Sequence, residues 1–243
     1  DPSITPDKLN WNNVSIDTIA GGIELASLDI DDSLDLHAEG NVVLKALLGT
    51  VVARAVGTPA DPGIVLDLGK VEGVDDENTE EFDADAVSLS LNNAAVFVGV
   101  GGSLRDRLVK DGDLTNADPY SDDEVVNGPF GFGASVESLD LVSLKNRAGV
   151  LPTDDLDYLG VEIAGATATL LGLEGFLDLA IWDAALKVNK VQDYDADPSI
   201  TPDKLNWNNV SIDTIAGGIE LASLDIDDSL DLHAEGNVVL KAL

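Results

Sequence analysis

The first 47 residues of this chain return, without one substitution, as its last 47. The segment that begins at Asp1 begins again at Asp197, and the identity runs through Leu47 and Leu243 at an offset of 196 positions. Diverged duplicates carry substitutions, so perfect identity predicts a window of a longer array, and self-similarity at a fixed period is typical of a repeat architecture. We interpret residues 1–196 as one complete unit with an arbitrary start, and residues 197–243 as the start of the next.

The unit is strongly acidic, which narrows the range of partners. The chain has 46 acidic and 13 basic residues for a net charge of −33, and removing the duplicated nine acids and two bases leaves −26 per unit. Nucleic acid requires clustered lysine and arginine, which this composition does not offer. No apolar run approaches the roughly 20 residues that span a bilayer. We expect no nucleic acid and no membrane insertion, and we expect the partner to be the chain itself, as adjacent repeats or neighbouring chains.

Period-two alternation of apolar and polar residues predicts an all-β fold. In the stretch DAVSLSL, Val87, Leu89 and Leu91 share one face. The stretch from Ala94 to Gly102 is apolar on both sides, as in a strand buried on both faces. We predict an elongated repeat, either a β-solenoid-like or a continuous-sheet rod. Two tandem immunoglobulin-like β-sandwiches of about 100 residues each are the alternative.

The solenoid form makes a prediction about length. Coils of roughly 20–25 residues, stacked at about 4.8 Å, would advance each unit by about 40–50 Å. Two acidic, turn-rich stretches, residues 71–85 and 111–124, are expected to be exposed loops outside the strand framework. Because identical sequences in an array meet equivalent neighbours, residues 1–47 and 197–243 are expected to share one conformation.

Two acidic clusters are candidate calcium sites. Asp193, Asp195 and Asp197 have the one-three-five spacing by which an EF-hand-type loop directs oxygens at one ion, and Asp111 and Asp113 begin a similar loop. The first loop then departs from that pattern, with proline at position six and lysine at position twelve. A solvated acidic surface is the alternative interpretation, since such clusters also arise by chance in so acidic a chain. The predicted cofactor is Ca²⁺ or none.

The sequence offers little for catalysis. Its two histidines, His37 and His233, are one position in the two copies, and it has no cysteine. A nucleophile elbow, a phosphate-binding loop and a zinc-protease helix are all missing from it. We predict that the chain is not an enzyme.

The order of the apolar segments suggests a family. AAVFVGVGGSL is followed by FGFGASVESLDLVSL, then by VEIAGATATLLGL, LKVNKV and SLDLHAEGNVVLKALLG. This succession resembles the repeat regions of very large bacterial surface proteins, the giant adhesins and hemagglutinin-like proteins. The resemblance implies a secreted, repetitive, β-rich protein at the bacterial cell surface, and it supplies no catalytic residues.

The expected function is therefore structural. We expect a tandem-repeat segment of an extracellular bacterial fibre or giant adhesin stalk, which acts through length, stiffness and self-association. The first alternative is a calcium-rigidified extender made of beaded β-sandwiches. A more remote one is a β-helical enzyme that acts on polysaccharide.

Overall fold

The computed structural model describes residues 8–13, 28–58, 60–105, 123–146, 156–193, 202–213 and 217–242. These residues contain eleven strands, two short 3₁₀ turns and no α-helix, so the all-β prediction is confirmed. The strands are β1 (Leu34–Gly40), β2 (Val42–Ala46), β3 (Val51–Ala55), β4 (Ile64–Val74), β5 (Phe82–Val100), β6 (Ser103–Arg105), β7 (Glu124–Val126), β8 (Phe130–Asn146), β9 (Leu156–Leu171), β10 (Leu177–Asp193) and β11 (Leu232–Ala242).

Nine of these strands form one open, antiparallel sheet. Seven lie in the order β1-β4-β5-β8-β9-β10-β11, while β2 pairs with β3 and β3 pairs with the far half of β5. β6 and β7 form a separate two-stranded sheet. The described residues thus adopt the continuous-sheet form of the prediction, because neighbouring strands run antiparallel and are not the stacked parallel coils of a solenoid.

The hairpin of β4 and β5 corrects one prediction. Residues 71–85 are not all a loop outside the framework, since β4 extends to Val74 and β5 begins at Phe82, and only residues 75–81 connect the two strands. Val71, Val74, Phe82 and Ala84 are buried, although a register shift between Val71 and Val74 interrupts strict alternation. The many acids among these residues obscured the apolar pattern in the sequence. Of the stretch 111–124, only Asp123 and Glu124 lie within the described residues, and Glu124 begins β7.

One face of the sheet is covered by an irregular segment that we call the C-terminal strap, residues 202–213 and 217–230. Its buried apolar side chains pack in one cluster with residues of β4, β5, β8 and β9. The strap contributes Leu205, Trp207, Ile219, Leu224 and Ile226, and the sheet contributes Val71, Val74, Phe82, Ala84, Ala86, Val142, Leu144 and Tyr158. Burying each large side chain contributes about 1.5–3 kcal/mol, so the strap and the sheet together form the core.

The far half of β5 is less buried than its sequence suggests. Ala94 to Gly102 was expected to be covered on both faces, but Val98 is 48% exposed and Val100 is also exposed, while Phe97 is buried. The strap's core cluster includes no residue of this stretch. The expectation was wrong because an apolar run indicates where burial is favourable and does not say what covers it.

Candidate repeat interface

Asn189 on β10 anchors the C-terminal strap. Its Nδ2 donates to the carbonyl oxygens of Leu205 at 2.8 Å and Asp227 at 3.1 Å, and its Oδ1 accepts from the indole Nε1 of Trp207 at 3.0 Å. Asn189 is buried, and these bonds satisfy its amide in the absence of bulk water. One side chain therefore holds both described parts of the strap, residues 202–213 and 217–230, against the sheet.

Asp76, just after β4, holds the strap at a second point. Its Oδ2 accepts from the backbone N–H of Asn206 at 2.8 Å, and its Oδ1 accepts from the backbone and hydroxyl of Thr79 at 2.8 and 2.7 Å. Burial alone would raise the pKa of this carboxyl, but the hydrogen bonds from Asn206 and Thr79 outweigh it and the pKa is lowered. The next contact along is a backbone bridge, in which Asp75 and Ser211 exchange two hydrogen bonds of 3.0 and 2.8 Å.

Gly160 on β9 leaves the space that the strap's large side chains occupy. A Cβ at this position would lie 2.4 Å from Cδ1 of Leu224 and 2.7 Å from Cε2 of Trp207. Both distances are far inside van der Waals contact, so any larger residue displaces the strap or distorts β9. The strap's seat is shaped for a bulky, specific occupant.

Charged groups secure the strap over β9 and β10. The Lys187 Nζ lies 2.8 Å from the Asp225 carboxylate and 3.1 Å from that of Glu162, and Glu162 accepts from the Asp225 backbone N–H at 2.7 Å. The hydrogen bond to Asp225 is the main reason that the pKa of Lys187 is raised. These three residues hold the second part of the strap, residues 217–230, in place over β9 and β10.

The same sequence occurs at the N-terminus, where its described part touches β4 and the C-terminal strap through backbone hydrogen bonds, from Lys70 to Ser33 and from Asp31 to Gly217. We call residues 8–13 and 28–33 the N-terminal strap. Leu9 and Trp11 are 55% and 41% exposed there, whereas Leu205 and Trp207 are 0% and 5% exposed. Leu28 and Ile30 are likewise exposed, and their copies are buried. Among the described residues, these four apolar side chains of the N-terminal strap are thus exposed where their copies are buried.

Both straps are nevertheless closed by the same internal contact. Lys8 reaches the carbonyl oxygen of Leu34 and the carboxylate of Asp35. Its copy Lys204 donates to the carbonyl oxygen of Leu230 at 2.7 Å and to the Asp231 carboxylate at 2.9 Å. The loop closure is thus intrinsic to the sequence, and burial on a sheet is what distinguishes the second copy from the first.

The strand that follows each strap lies at an edge of the sheet. Residues 34–46 form β1 and β2 at one edge, and their copy forms β11 at the other. Six antiparallel steps separate β1 from β11, so the two run in the same direction. β1 pairs with β4 and β11 pairs with β10.

The copied strand also turns the same face towards the strap side. His37 lies opposite Asp67, which lies opposite Ser88, and the Ser88 hydroxyl accepts from the strap's backbone. His233 lies opposite Lys187, which binds the strap through Asp225. Directly opposed residues share a face of a sheet, so both histidines face the strap side. The copied strand therefore has the same direction and presents the same face at both edges of the sheet. Its hydrogen-bonded neighbour lies on one side in the first copy, where it is β4, and on the other side in the second copy, where it is β10.

The cross-strand register preserves this relation. One row of directly opposed residues crosses the whole sheet from β1 to β11. It runs through Glu39, Val65, Ser90, Asp140, Glu162, Lys187 and His233. His233 is the copy of the residue two positions before Glu39, so the register moves by two residues per unit. An even step keeps every side chain on its own face, whereas an odd step would invert them all.

The two copies differ in two local features of the strand, the first being that Leu34 and Asp35 begin β1 whereas their copies, Leu230 and Asp231, precede β11. Second, β1 and β2 are separated at Asn41, whose Oδ1 accepts from the backbone of Gly57 at 2.8 Å and Gly63 at 3.1 Å, whereas β11 runs unbroken through the equivalent position. The glycine before this position has φ of 149° in the first copy and 146° in the second. Over the positions that are described in both copies, the expectation of one conformation holds for the strand path but not for the start of the strand or for this break, which the loop after β3 imposes.

The predicted calcium ligands are mostly outside the described residues. Asp193 is the last residue of β10, opposite Leu156, whereas Asp195, Asp197, Asp111 and Asp113 are not described. Within the described part of the chain, no group of three or more acidic or histidine side chains could hold a metal ion. The calcium site stays a prediction.

The histidine position lies near the same glutamate in both copies, Glu39 at 3.8 Å and Glu235 at 3.5 Å, and has a second partner in the first copy. The His37 Nδ1 lies 2.6 Å from Oδ1 of the buried Asp67, and this hydrogen bond is the main reason that the pKa of His37 is raised. The His233 Nε2 lies 3.5 Å from the carboxylate of Glu235. Sequence reasoning missed Asp67, because one more acid in so acidic a chain carries no signal until the fold buries it.

Comparisons with models of known protein families, with curated proteins and with solved structures find no match. None of the helical turns in the described ranges is long and apolar enough to cross a membrane. The arrangement described above, in which one sequence occupies both edges of one sheet, therefore carries the functional argument.

Proposed function

We propose that this chain is a structural tandem-repeat segment of an extracellular bacterial fibre or giant adhesin stalk. One observation carries the proposal. The copied strand has the same direction and the same face at both edges of the sheet, but it is paired on one side in the first copy and on the other side in the second. A strand with both partners at once would join β10 of one unit to β3 and β4 of the next. Successive units would then share a single sheet without an edge between them.

This arrangement sets the length of the unit. Six strand spacings of about 4.8 Å separate β1 from β11, so each unit advances by about 29 Å along the sheet. That value is shorter than the 40–50 Å expected of solenoid coils, because each strand in this sheet is long: β5 has 19 residues, and β8 and β10 have 17 each. Backbone hydrogen bonds lie along the axis in such a rod, which makes it stiff.

The charge of the unit suits a fibre that stays separate from its neighbours. A net charge of −26 in every 29 Å is a dense line of like charge, which disfavours lateral association except where counterions screen it. A sheet of this kind also needs its edges paired, since an open edge is a template for aggregation. Repetition pairs every edge except the two at the ends.

Electron microscopy of arrays with different numbers of units tests the proposal. The contour length should grow by about 29 Å per added unit, as a rod of uniform width. Antibody labelling of intact cells tests the surface location, which rests on the resemblance to giant adhesins. Regular beads, or a much larger advance per unit, would favour the beaded extender, and labelling only after cell lysis would contradict the surface location.

A further inference from the structure

The N-terminal copy has the features of a docking element without its partner. The apolar side chains of Leu9, Trp11, Leu28 and Ile30 are exposed on a loop that is already closed by Lys8. The strand after it, β1, has one side paired with β4 and its other side at the edge of the sheet. These two surfaces, an apolar strap and an open strand edge, are the two that the C-terminal copy uses to bind the sheet.

The same chain shows which surface fits this element. The C-terminal copy has the identical sequence, and it is seated on β5, β8, β9 and β10 with Trp207 against Gly160 and hydrogen-bonded to Asn189. The seat offers an acceptor for the indole N–H, a space without a side chain and the edge of β10, which β11 of the same chain occupies. A second copy of the chain carries the same seat.

We infer that the N-terminal strap and the strand after it, residues 8–13 and 28–46 of one molecule, dock on the strap seat and the β10 edge of a second molecule, in place of that molecule's C-terminal strap and β11. The inference rests on the proposed function, because it treats the junction between consecutive repeats as an interface that separate chains also form. The contact is head-to-tail and does not close on itself, so it generates an open series of oligomers. The C-terminal copy of each molecule acts as an internal cap that limits this growth.

The cap is strong because it is attached to its own seat. A tethered segment competes at an effective concentration of the order of millimolar, so exchange in the native chain requires comparable protein concentrations. Replacing the buried Trp207 should weaken the cap by at least about 100-fold, the effect of losing a large buried aromatic side chain. Exchange should then begin at or below about 10 µM, because the intact N-terminal copy of a second molecule becomes the better occupant.

The test compares two variants of the full chain, Trp207→Asp and the double variant Trp11→Asp/Trp207→Asp. Light scattering after size-exclusion chromatography should show Trp207→Asp as a concentration-dependent series of oligomers. The protein concentrations should span about 10–100 µM, so that the highest is about ten times the concentration at which exchange begins. The double variant should be monomeric throughout this range. A monomeric Trp207→Asp chain would overturn the inference. Equal association of both variants would also overturn it, since it would show non-specific contact between exposed apolar surfaces.

A second comparison does not depend on a weakened cap. At about 1 mM, the native chain should associate by exchange, and Trp11→Asp should remain monomeric. Trp207 is part of the core cluster and Trp11 is not, so Trp11→Asp tests docking without weakening the cap. Where far-ultraviolet circular dichroism shows that Trp207→Asp has lost its strands, this comparison decides: equal behaviour of the native chain and Trp11→Asp would overturn the inference. Rods in electron micrographs together with monomeric variants would remove this inference and leave the proposed function standing.

Discussion

One 47-residue sequence is present twice in this chain, and the two copies have different surroundings. The C-terminal copy lies on the sheet, with Leu205 fully buried and Trp207 nearly so. The N-terminal copy closes its loop through Lys8 in the same way, yet Trp11 is 41% exposed. Identical local sequence therefore gives identical local closure, and only tertiary contact with a sheet completes the structure. The difference shows that burial of this sequence depends on the sheet surface against which it packs.

Substitution of the two equivalent tryptophans should give the largest contrast. Trp207→Ala removes a buried side chain and should lower the free energy of unfolding by about 3–5 kcal/mol. Trp11→Ala, with the same flanking residues, should change it by no more than about 0.5 kcal/mol, as at an ordinary surface position. Urea unfolding of both variants measures this. Similar losses for the two would mean that the straps do not differ in the way described.

Filling the space under the strap should have the next largest effect. Gly160→Ala places a Cβ 2.4 Å from Leu224, and such overpacking should cost about 1–3 kcal/mol. Adding Leu224→Ala relieves the clash, so the two substitutions should be strongly non-additive in a double-mutant cycle. The equivalent substitution Leu28→Ala is the matched control and should be additive with Gly160→Ala. Coupling to position 28 of the same size would contradict the assignment of the seat.

Acid should release the C-terminal strap from the sheet through protonation of Asp76. The pKa of Asp76 is lowered in the folded state, so its contribution is full above its usual pKa of about 3.9 and is lost as the pH falls through the lowered value. The loss should be about 1–3 kcal/mol, the worth of hydrogen bonds to a charged acceptor. Trp207 fluorescence in a Trp11→Phe/Trp182→Phe chain follows the release between pH 5 and 2 (a window set around the carboxyl pKa range).

The control for acid release is Asp76→Asn, which removes the titrating group and keeps the side-chain shape. This variant should have a weakly held strap at pH 6 (well above the carboxyl range) and little further change in acid. A transition of the same size in both chains would assign the effect to the relief of overall charge repulsion instead.

The smallest effect should come from the histidine pair. The pKa of His37 is raised by Asp67, so the stabilisation is present below its usual pKa of about 6.5 and is lost as the pH rises through the raised value. Since His37 is half-exposed, solvent screens the pair and the effect should stay below about 1 kcal/mol. His37→Ala should abolish this part of the pH dependence, and His233→Ala should preserve it. NMR titration of the two rings measures the pKa values directly.

The sequence predicted the strands better than it predicted their buried side. Alternation in DAVSLSL correctly indicated a strand, and Val87, Leu89 and Leu91 formed its more apolar face. The side buried beneath the strap carries Ala84, Ala86 and Ser88 instead. The strap supplies the large side chains, so the sheet beneath it needs small ones. A period-two pattern does not reveal that a distant, irregular segment provides half of the core.

The interface was predictable only in outline. The exact repeat indicated that the two ends of the chain are equivalent, and this led to an array. The roles of Asn189, Asp76 and Gly160 were not visible, because each depends on a strap that arrives from a distant part of the sequence. A buried asparagine, one acid among many and one glycine among 23 carry no local signal.

The most direct test of the account uses a chain with one further 196-residue unit joined before Asp1. Selective ¹⁵N labelling of tryptophan allows the exchange of each indole N–H to be followed by NMR in the present and the extended chain. In the present chain the Trp207 indole, which donates to Asn189, should exchange slowly and that of Trp11 rapidly. The indole N–H at the position of Trp11 should exchange as slowly as that of Trp207 once a unit precedes it. Rapid exchange at that position in the extended chain would contradict the claim that each strap completes the unit before it.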